Sequence, residues 1–295
     1  MNRKVTSLEC KERALEALRG KWLTCLIAVF IFTLITESAS MIDTYLEYQY
    51  KKDHGYTNYE IALDKNSKES KNSDSITTAL VNNGIKSSSA HTSIIELTTG
   101  NTEYQTPFWL TSLQLAINIF TFPLTVGYAL FFLLIIQGKE PTIKTVFESY
   151  GYFLNILLTK LYVGLRIFIG LILLIIPGII AIYKYAFVDY IIAEDGDIRC
   201  KAATDKSSDM LYGHKVELFV LELSLLGWSI LAGITSTLLA FVFYSLNLAP
   251  LAILFAIIPG LFFCVYSSSA VAAFYQTIKE QTNKNKEDIN SYEYN

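Results

Sequence analysis

Charged side chains are scarce in this sequence. Asp, Glu, Lys and Arg make up 17% of its 295 residues, against about 25% in a soluble globular chain. The formal net charge is −3, too small to imply nucleic acid or a strongly charged partner. Cysteine is limited to Cys10, Cys25, Cys200 and Cys264. None lies in the long polar segment 38–106, and their spacing matches no zinc or redox motif, so no disulfide framework or metal knot is implied. His54, His91 and His214 have no ligand-spaced partners. A nucleophile with an adjacent base, a phosphate-cradling loop and a metal-ligand pattern are all missing. The expectation is a protein that is not an enzyme and uses no cofactor or metal.

Apolar residues fill the chain instead, at 52% with a mean hydropathy of +0.35. Runs of roughly 30 residues with hardly a charge outrun a soluble core helix. In hydrocarbon only helices and closed barrels satisfy their own backbone groups. Two such runs carry the same tetrad, Ile175-Ile176-Pro177-Gly178 and Ile257-Ile258-Pro259-Gly260. They suggest two related halves, although the match beyond the tetrad is loose. The fold expected is all-α, a polytopic transmembrane bundle of six helices, with five as the alternative.

The charged segment 1–21 precedes a first transmembrane helix at 22–37. Its short apolar run could be a signal peptide, with Ser38-Ala39-Ser40 as a cleavage-like site. The long leader of mixed charge argues for retention. Residues 38–106 read as an external polar loop, its Asp64–Ser89 stretch lacking the apolar surface to order itself. The other reading is a small recognition ectodomain using Tyr45, Tyr48, Tyr50, Tyr56 and Tyr59. A membrane helical bundle follows over 107–278, then a cytoplasmic tail at 279–295. Phe108–Ile136 reads as one span kinked at Pro123. Apolar spacing from Val146 to Leu161 reads as an amphipathic helix, either lying on the surface or forming the lower half of the next span.

The distribution of Lys and Arg decides the topology. Basic residues cluster in 1–21, 139–160, 199–215 and 279–286, whereas Ser245–Pro250 and the Pro177-Gly178 corner have none. A hairpin turning at Pro177-Gly178 puts every basic cluster on one side, which the positive-inside rule makes cytoplasmic. Both termini are then cytoplasmic in a cell (plasma) membrane. Pro259 only kinks its span, because Leu251–Ile258 is too short to cross.

Ionisable residues inside hydrocarbon are the default functional candidates. Arg166, Lys184, Asp189 and Glu222 qualify. A turn at Pro177-Gly178 puts Arg166 and Asp189 at equal depth, with Glu222 near them, as an intramembrane polar cluster. It reads as a structural ion pair or as a site for an ion, a proton or a lipid headgroup. Lys184 is placed nearer the outer surface, as a snorkelling residue. Gly213 is suited to close a short cytoplasmic helix in the left-handed conformation, leaving His214 and Lys215 towards the membrane.

Several passages together resemble an uncharacterised family of bacterial integral membrane proteins, domain of unknown function 975. They are Ala14–Trp22 with Arg19-Gly20-Lys21-Trp22; Pro123 and Gly127; and Ile176-Pro177-Gly178-Ile179 through Tyr185 to Glu194. Ser207 through Gly213-His214-Lys215 to Leu218-Phe219, Leu223-Ser224 and Gly227-Trp228 follows, then Phe274-Tyr275. The resemblance spans most of the chain outside 38–106. It implies a membrane-embedded helical bundle and carries no established activity. The chain also loosely resembles the membrane domain beside some glycerophosphodiester phosphodiesterases. It lacks their soluble catalytic barrel, so that activity does not transfer.

Three function classes remain. A non-catalytic component, such as a scaffold, regulator or immunity-type protein, fits the absence of chemistry and the large loop. A transporter or lipid-handling protein fits buried charges and proline-broken helices. An intramembrane enzyme fits least. The partners expected are the lipid bilayer and, through 38–106, another membrane or extracellular protein; nucleic acid is not expected.

Overall fold

A computed structural model describes residues 4–53, 108–246 and 248–293. Two compact units divide the chain, residues 1–36 with 118–295 and residues 37–117. Among the described residues the secondary structure is helical, with no strand. Five helices are long and apolar enough to cross a membrane, or six when the bent pair Ser7–Leu18 and Trp22–Glu37 counts as one span.

Helix α1 is Ser7–Leu18, opened by Thr6, whose side chain accepts from the Glu9 amide at 3.3 Å. Its buried positions Cys10, Ala14 and Leu18 recur every four residues, one apolar stripe on an otherwise charged helix. Gly20 then takes φ +76°, a left-handed turn that glycine adopts without strain. The chain leaves it as α2, Trp22–Asp53, whose Trp22–Glu37 part is bent 101° from α1. α2 runs on well past the expected end of the first span at residue 37. No Gly or Pro interrupts the sequence from Trp22 to His54, so nothing local stops the helix where polar residues begin. The rest of the expected loop, including Tyr56, Tyr59 and Asp64–Ser89, lies outside the described residues. Within residues 37–117, Tyr45 and Tyr48 are exposed and Gln49 donates to the Tyr45 hydroxyl at 3.0 Å.

Helix α3, Phe108–Ile136, passes through Pro123 unbroken. Its second half supplies much of the core: Leu124, Val126, Phe131, Phe132, Leu133 and Ile135 are buried. A Cβ on Gly127 would lie 1.8 Å from the Val146 carbonyl oxygen, so only glycine permits this approach. Short turns at Thr145–Glu148 and Ser149–Tyr152 feed directly into α4, Phe153–Leu173. Residues 145–173 thus form one stretch long and apolar enough to cross a membrane, with the amphipathic segment continuous with the helix that follows it.

The hairpin exists, but it turns at Leu174 rather than at Pro177-Gly178. Leu174 alone is extended, with φ −164° and ψ 148°, between α4 and α5, Ile175–Lys184. Pro177 sits in the first turn of α5, where its missing N–H would have had no intrahelical partner anyway. Gly178 serves close packing: a Cβ there would meet Leu171 Cα at 2.9 Å, and one on Gly170 would meet Gly178 Cα at 3.2 Å.

A break at 185–187 separates α5 from α6, Val188–Glu194. Helix α7 is Cys200–Met210, followed by Gly213 at φ +86°, the left-handed closure expected of it. Helices α8, Lys215–Ser245, and α9, Ala249–Glu293, pair extensively. α9 passes through Pro259 without a break and carries on through residue 293, so the expected tail is helical over most of its length.

Candidate functional site

Polar side chains gather at one end of the bundle formed by residues 1–36 and 118–295. Arg13 on α1 makes a bidentate pair with Glu280 on α9, at 2.6 and 2.9 Å, and also donates to Thr277 at 3.1 Å. The hydrogen-bonded Glu280 carboxylate raises the Arg13 pKa above its ordinary value. Burial pushes the Cys10 thiol on the same helix up to about 12. The Lys21 ammonium donates to the Lys139 carbonyl at 2.9 Å, and Trp22 packs on Phe262 with ring centroids 5.7 Å apart. Glu217 accepts from the Val5 amide at 3.2 Å and lies 2.7 Å from His214 Nδ1. Glu194 accepts from Tyr275, at 2.9 Å, and from Lys279. The Asn155 side chain donates to the Gly196 and Ile198 carbonyls at 2.7 and 2.8 Å.

Ser207 binds across the break between α5 and α6. Its hydroxyl donates to the Lys184 carbonyl at 3.0 Å and accepts from the Phe187 amide at 3.2 Å. Both backbone groups would otherwise be stranded where the helix is interrupted. Lys184 thus lies beside α7, at the end where the basic clusters gather, and not towards the opposite surface as expected. Its ammonium stands 5.5 Å from the Tyr185 ring centroid.

The expected cluster of Arg166, Asp189 and Glu222 does not form. Asp189 pairs with Lys160, each carboxylate oxygen 2.7 Å from the ammonium. Arg166 binds the Tyr162 hydroxyl one turn back at 2.6 Å, its guanidinium 5.0 Å from that ring's centroid. Glu222 accepts from Tyr183 at 2.8 Å. Among the described residues, no hydrogen bond or ion pair joins any two of the three. The cause is the reversal point. With the turn at Leu174, the residue level with Asp189 is close to 160, whereas a turn at Pro177-Gly178 would have aligned Arg166. Lys160 was grouped by sequence with the basic residues outside the membrane, which hid it as a partner.

Of the motif residues, Pro177 and Gly178 shape the hairpin, Gly213 ends the α7 turn, and His214 is buried against Glu217. Lys215 begins α8, and Trp228 is 54% exposed on that helix, facing outwards from the bundle.

Asp189 also borders a cleft of about 310 Å³, together with Thr125, Tyr128, Tyr190, Ser267 and Ser268. Tyr128 and Ser268 share a hydrogen bond of 2.8 Å. The sequence held a signal for this, since Ser267-Ser268-Ser269 interrupts an apolar span, but it says nothing of which helix faces the serines. No group of three or more His, Cys, Asp or Glu suited to a metal occurs among the described residues.

One family model matches residues 1–282, that of the family described as protein of unknown function (DUF975). No curated protein and no solved structure matches the chain.

Proposed function

The chain belongs to the DUF975 family, and we propose that it acts as a non-catalytic multi-pass component of a bacterial cell membrane: a scaffold, regulator or immunity-type protein. One observation carries this reading. Charged side chains at the bundle end satisfy one another, Arg13 with Glu280 and Lys279 with Glu194 across helices far apart in sequence, and His214 with Glu217 three residues on. Groups held this way lock helices together; a catalytic acid or base needs a free valence towards a substrate. In this reading the basic clusters of this end are cytoplasmic by the positive-inside rule, and 38–106 is the external segment through which a membrane or extracellular protein is engaged. Complementation of a deletion strain tests the reading. Rescue by Glu194→Gln and Lys279→Met should track the amount of protein in the membrane. Lost rescue at undiminished abundance would refute it.

A second reading is favoured by the cleft beside Asp189. A hydroxyl-lined hollow in an apolar bundle suits a lipid-handling or transport protein that holds a polar group within the membrane. Filling the cleft with Ala129→Phe should then change which lipids or solutes stay bound through purification, and identical retention would discard it.

A further inference from the structure

We propose that the cleft beside Asp189 binds an organic ammonium group, an inference that rests on the second reading and names its ligand class. The lining points to a donor ligand. Thr125 spends its hydroxyl proton on the Phe122 carbonyl at 2.8 Å, and Ser267 on the Cys264 carbonyl at 3.2 Å. Tyr128 and Ser268 consume one proton between them. What these side chains still offer is mostly oxygen lone pairs, so the wall accepts more than it donates. Asp189 adds a carboxylate whose side chain is 30% exposed, and a carboxylate has room for more than one donor.

The remaining wall is apolar, with three aromatic rings beside Ala129, Ala186 and Val271. Tyr128, Phe132 and Tyr190 border the cleft, and aromatic ring faces attract cations. Their positions are held by neighbours. Tyr128 stacks on Phe32 at 4.3 Å and meets Phe132 edge-on at 4.9 Å, while Tyr190 stacks on Tyr275 at 4.9 Å. A carboxylate, acceptor hydroxyls and fixed rings around one hollow form a site for a primary ammonium, R–NH3⁺, whose N–H groups meet the acceptors. Lys160 already places one such ammonium 2.7 Å from the Asp189 carboxylate. A ligand would share the carboxylate with it or displace it. The ligand could be a lipid headgroup or a free amine, and the chemistry recognised is the same.

The test uses the full chain in nanodiscs, with ethanolamine hydrochloride as probe and potassium chloride as the ionic control. Ethanolamine should raise Tm saturably beyond the control, with a larger shift in Lys160→Met, where the carboxylate is vacated. Asp189→Asn should weaken apparent affinity at least about tenfold, the loss of one charge-assisted contact. No ethanolamine-specific shift in wild type and Lys160→Met, or full affinity in Asp189→Asn, overturns the proposal. If Asp189→Asn does not fold, Ser268→Ala replaces it; unchanged affinity there together with no gain in Lys160→Met overturns it equally. Native mass spectrometry separates the sources. Retention of phosphatidylethanolamine over phosphatidylglycerol, lost when Asp189 or Ser268 is changed, assigns a lipid headgroup. Ethanolamine binding without headgroup preference assigns a free amine. If ammonium binding fails while Ala129→Phe still alters the retained lipids, only the ligand class falls. If Ala129→Phe alters nothing, the second reading falls with it.

Discussion

A Cβ on Gly127 would sit 1.8 Å from the Val146 carbonyl oxygen, and the obstacle is backbone, which cannot rotate aside. Gly127→Ala must therefore push α3 away from the turn that follows it. We expect a loss of about 1–3 kcal/mol, the usual cost of overpacking, read as a lower Tm in detergent. Gly233 faces open space within the same bundle, so Gly233→Ala should be neutral or slightly stabilising by the helix propensity of alanine. Equal effects at the two sites would contradict the close approach. A second residue-scale expectation concerns Cys10. It is fully buried and its thiol is pushed up to about 12, so the reactive thiolate is suppressed near neutral pH. In a variant retaining Cys10 as the only cysteine, maleimide should label it only after denaturation. Labelling at the rate of an exposed thiol would mean that α1 detaches from α9.

The hairpin of α4 and α5 illustrates what was legible at the scale of an element and what was not. Composition made a reversal necessary near the Pro-Gly corner, because otherwise basic clusters would lie on both sides of the membrane. The residue that reverses the chain is Leu174, inside a run of eight consecutive leucines, isoleucines and a glycine from Ile169 to Ile176, where nothing local marks one position. Three residues of error along a helix shift depth by about 4.5 Å, doubled between antiparallel legs. That is enough to replace Lys160 by Arg166 as the partner of Asp189. The helix ends set by Gly20 and Gly213 were readable because their cause is local; the pairings Glu194–Lys279 and Arg13–Glu280 join residues 85 and 267 positions apart and left no local trace. A double-mutant cycle on Lys160→Leu and Asp189→Leu should show coupling of about 1–3 kcal/mol. That is below the roughly 3–5 kcal/mol of a fully buried pair, since both side chains retain some exposure. The same cycle on Arg166→Leu and Asp189→Leu should show coupling near zero. The reverse pattern would restore the turn at Pro177-Gly178. Ser207→Ala, which removes both bonds across the α5–α6 break, should cost about 1–3 kcal/mol by stranding buried backbone groups.

On the scale of the whole molecule, the side-chain bonds bring all four basic clusters together. Lys21 reaches Lys139, Arg13 reaches Glu280, Asn155 reaches Gly196 and Ile198, and the Val5 amide reaches Glu217. The α4–α5 reversal at Leu174 and the α8–α9 connection carry no Lys or Arg. A bundle so polarised has one orientation that the positive-inside rule favours, with the clustered end cytoplasmic. Accessibility labelling from outside intact cells, in a background without native cysteines, tests it. A reporter at Ser207 would be misleading, because Ser207 is buried and bonded on both sides of its hydroxyl; silence there would follow from packing alone. Tyr212, in the same inner segment, is 81% exposed and is the sound position. Ser88→Cys, in the segment assigned outside, should react with an impermeant maleimide in intact cells, and Tyr212→Cys should react only after the membrane is opened. External labelling of Tyr212→Cys would invert the orientation or remove a crossing. Ser88→Cys then tells these apart, since in an inverted bundle residue 88 becomes cytoplasmic and unreactive, whereas with one crossing lost between it and Tyr212 it stays external and reactive.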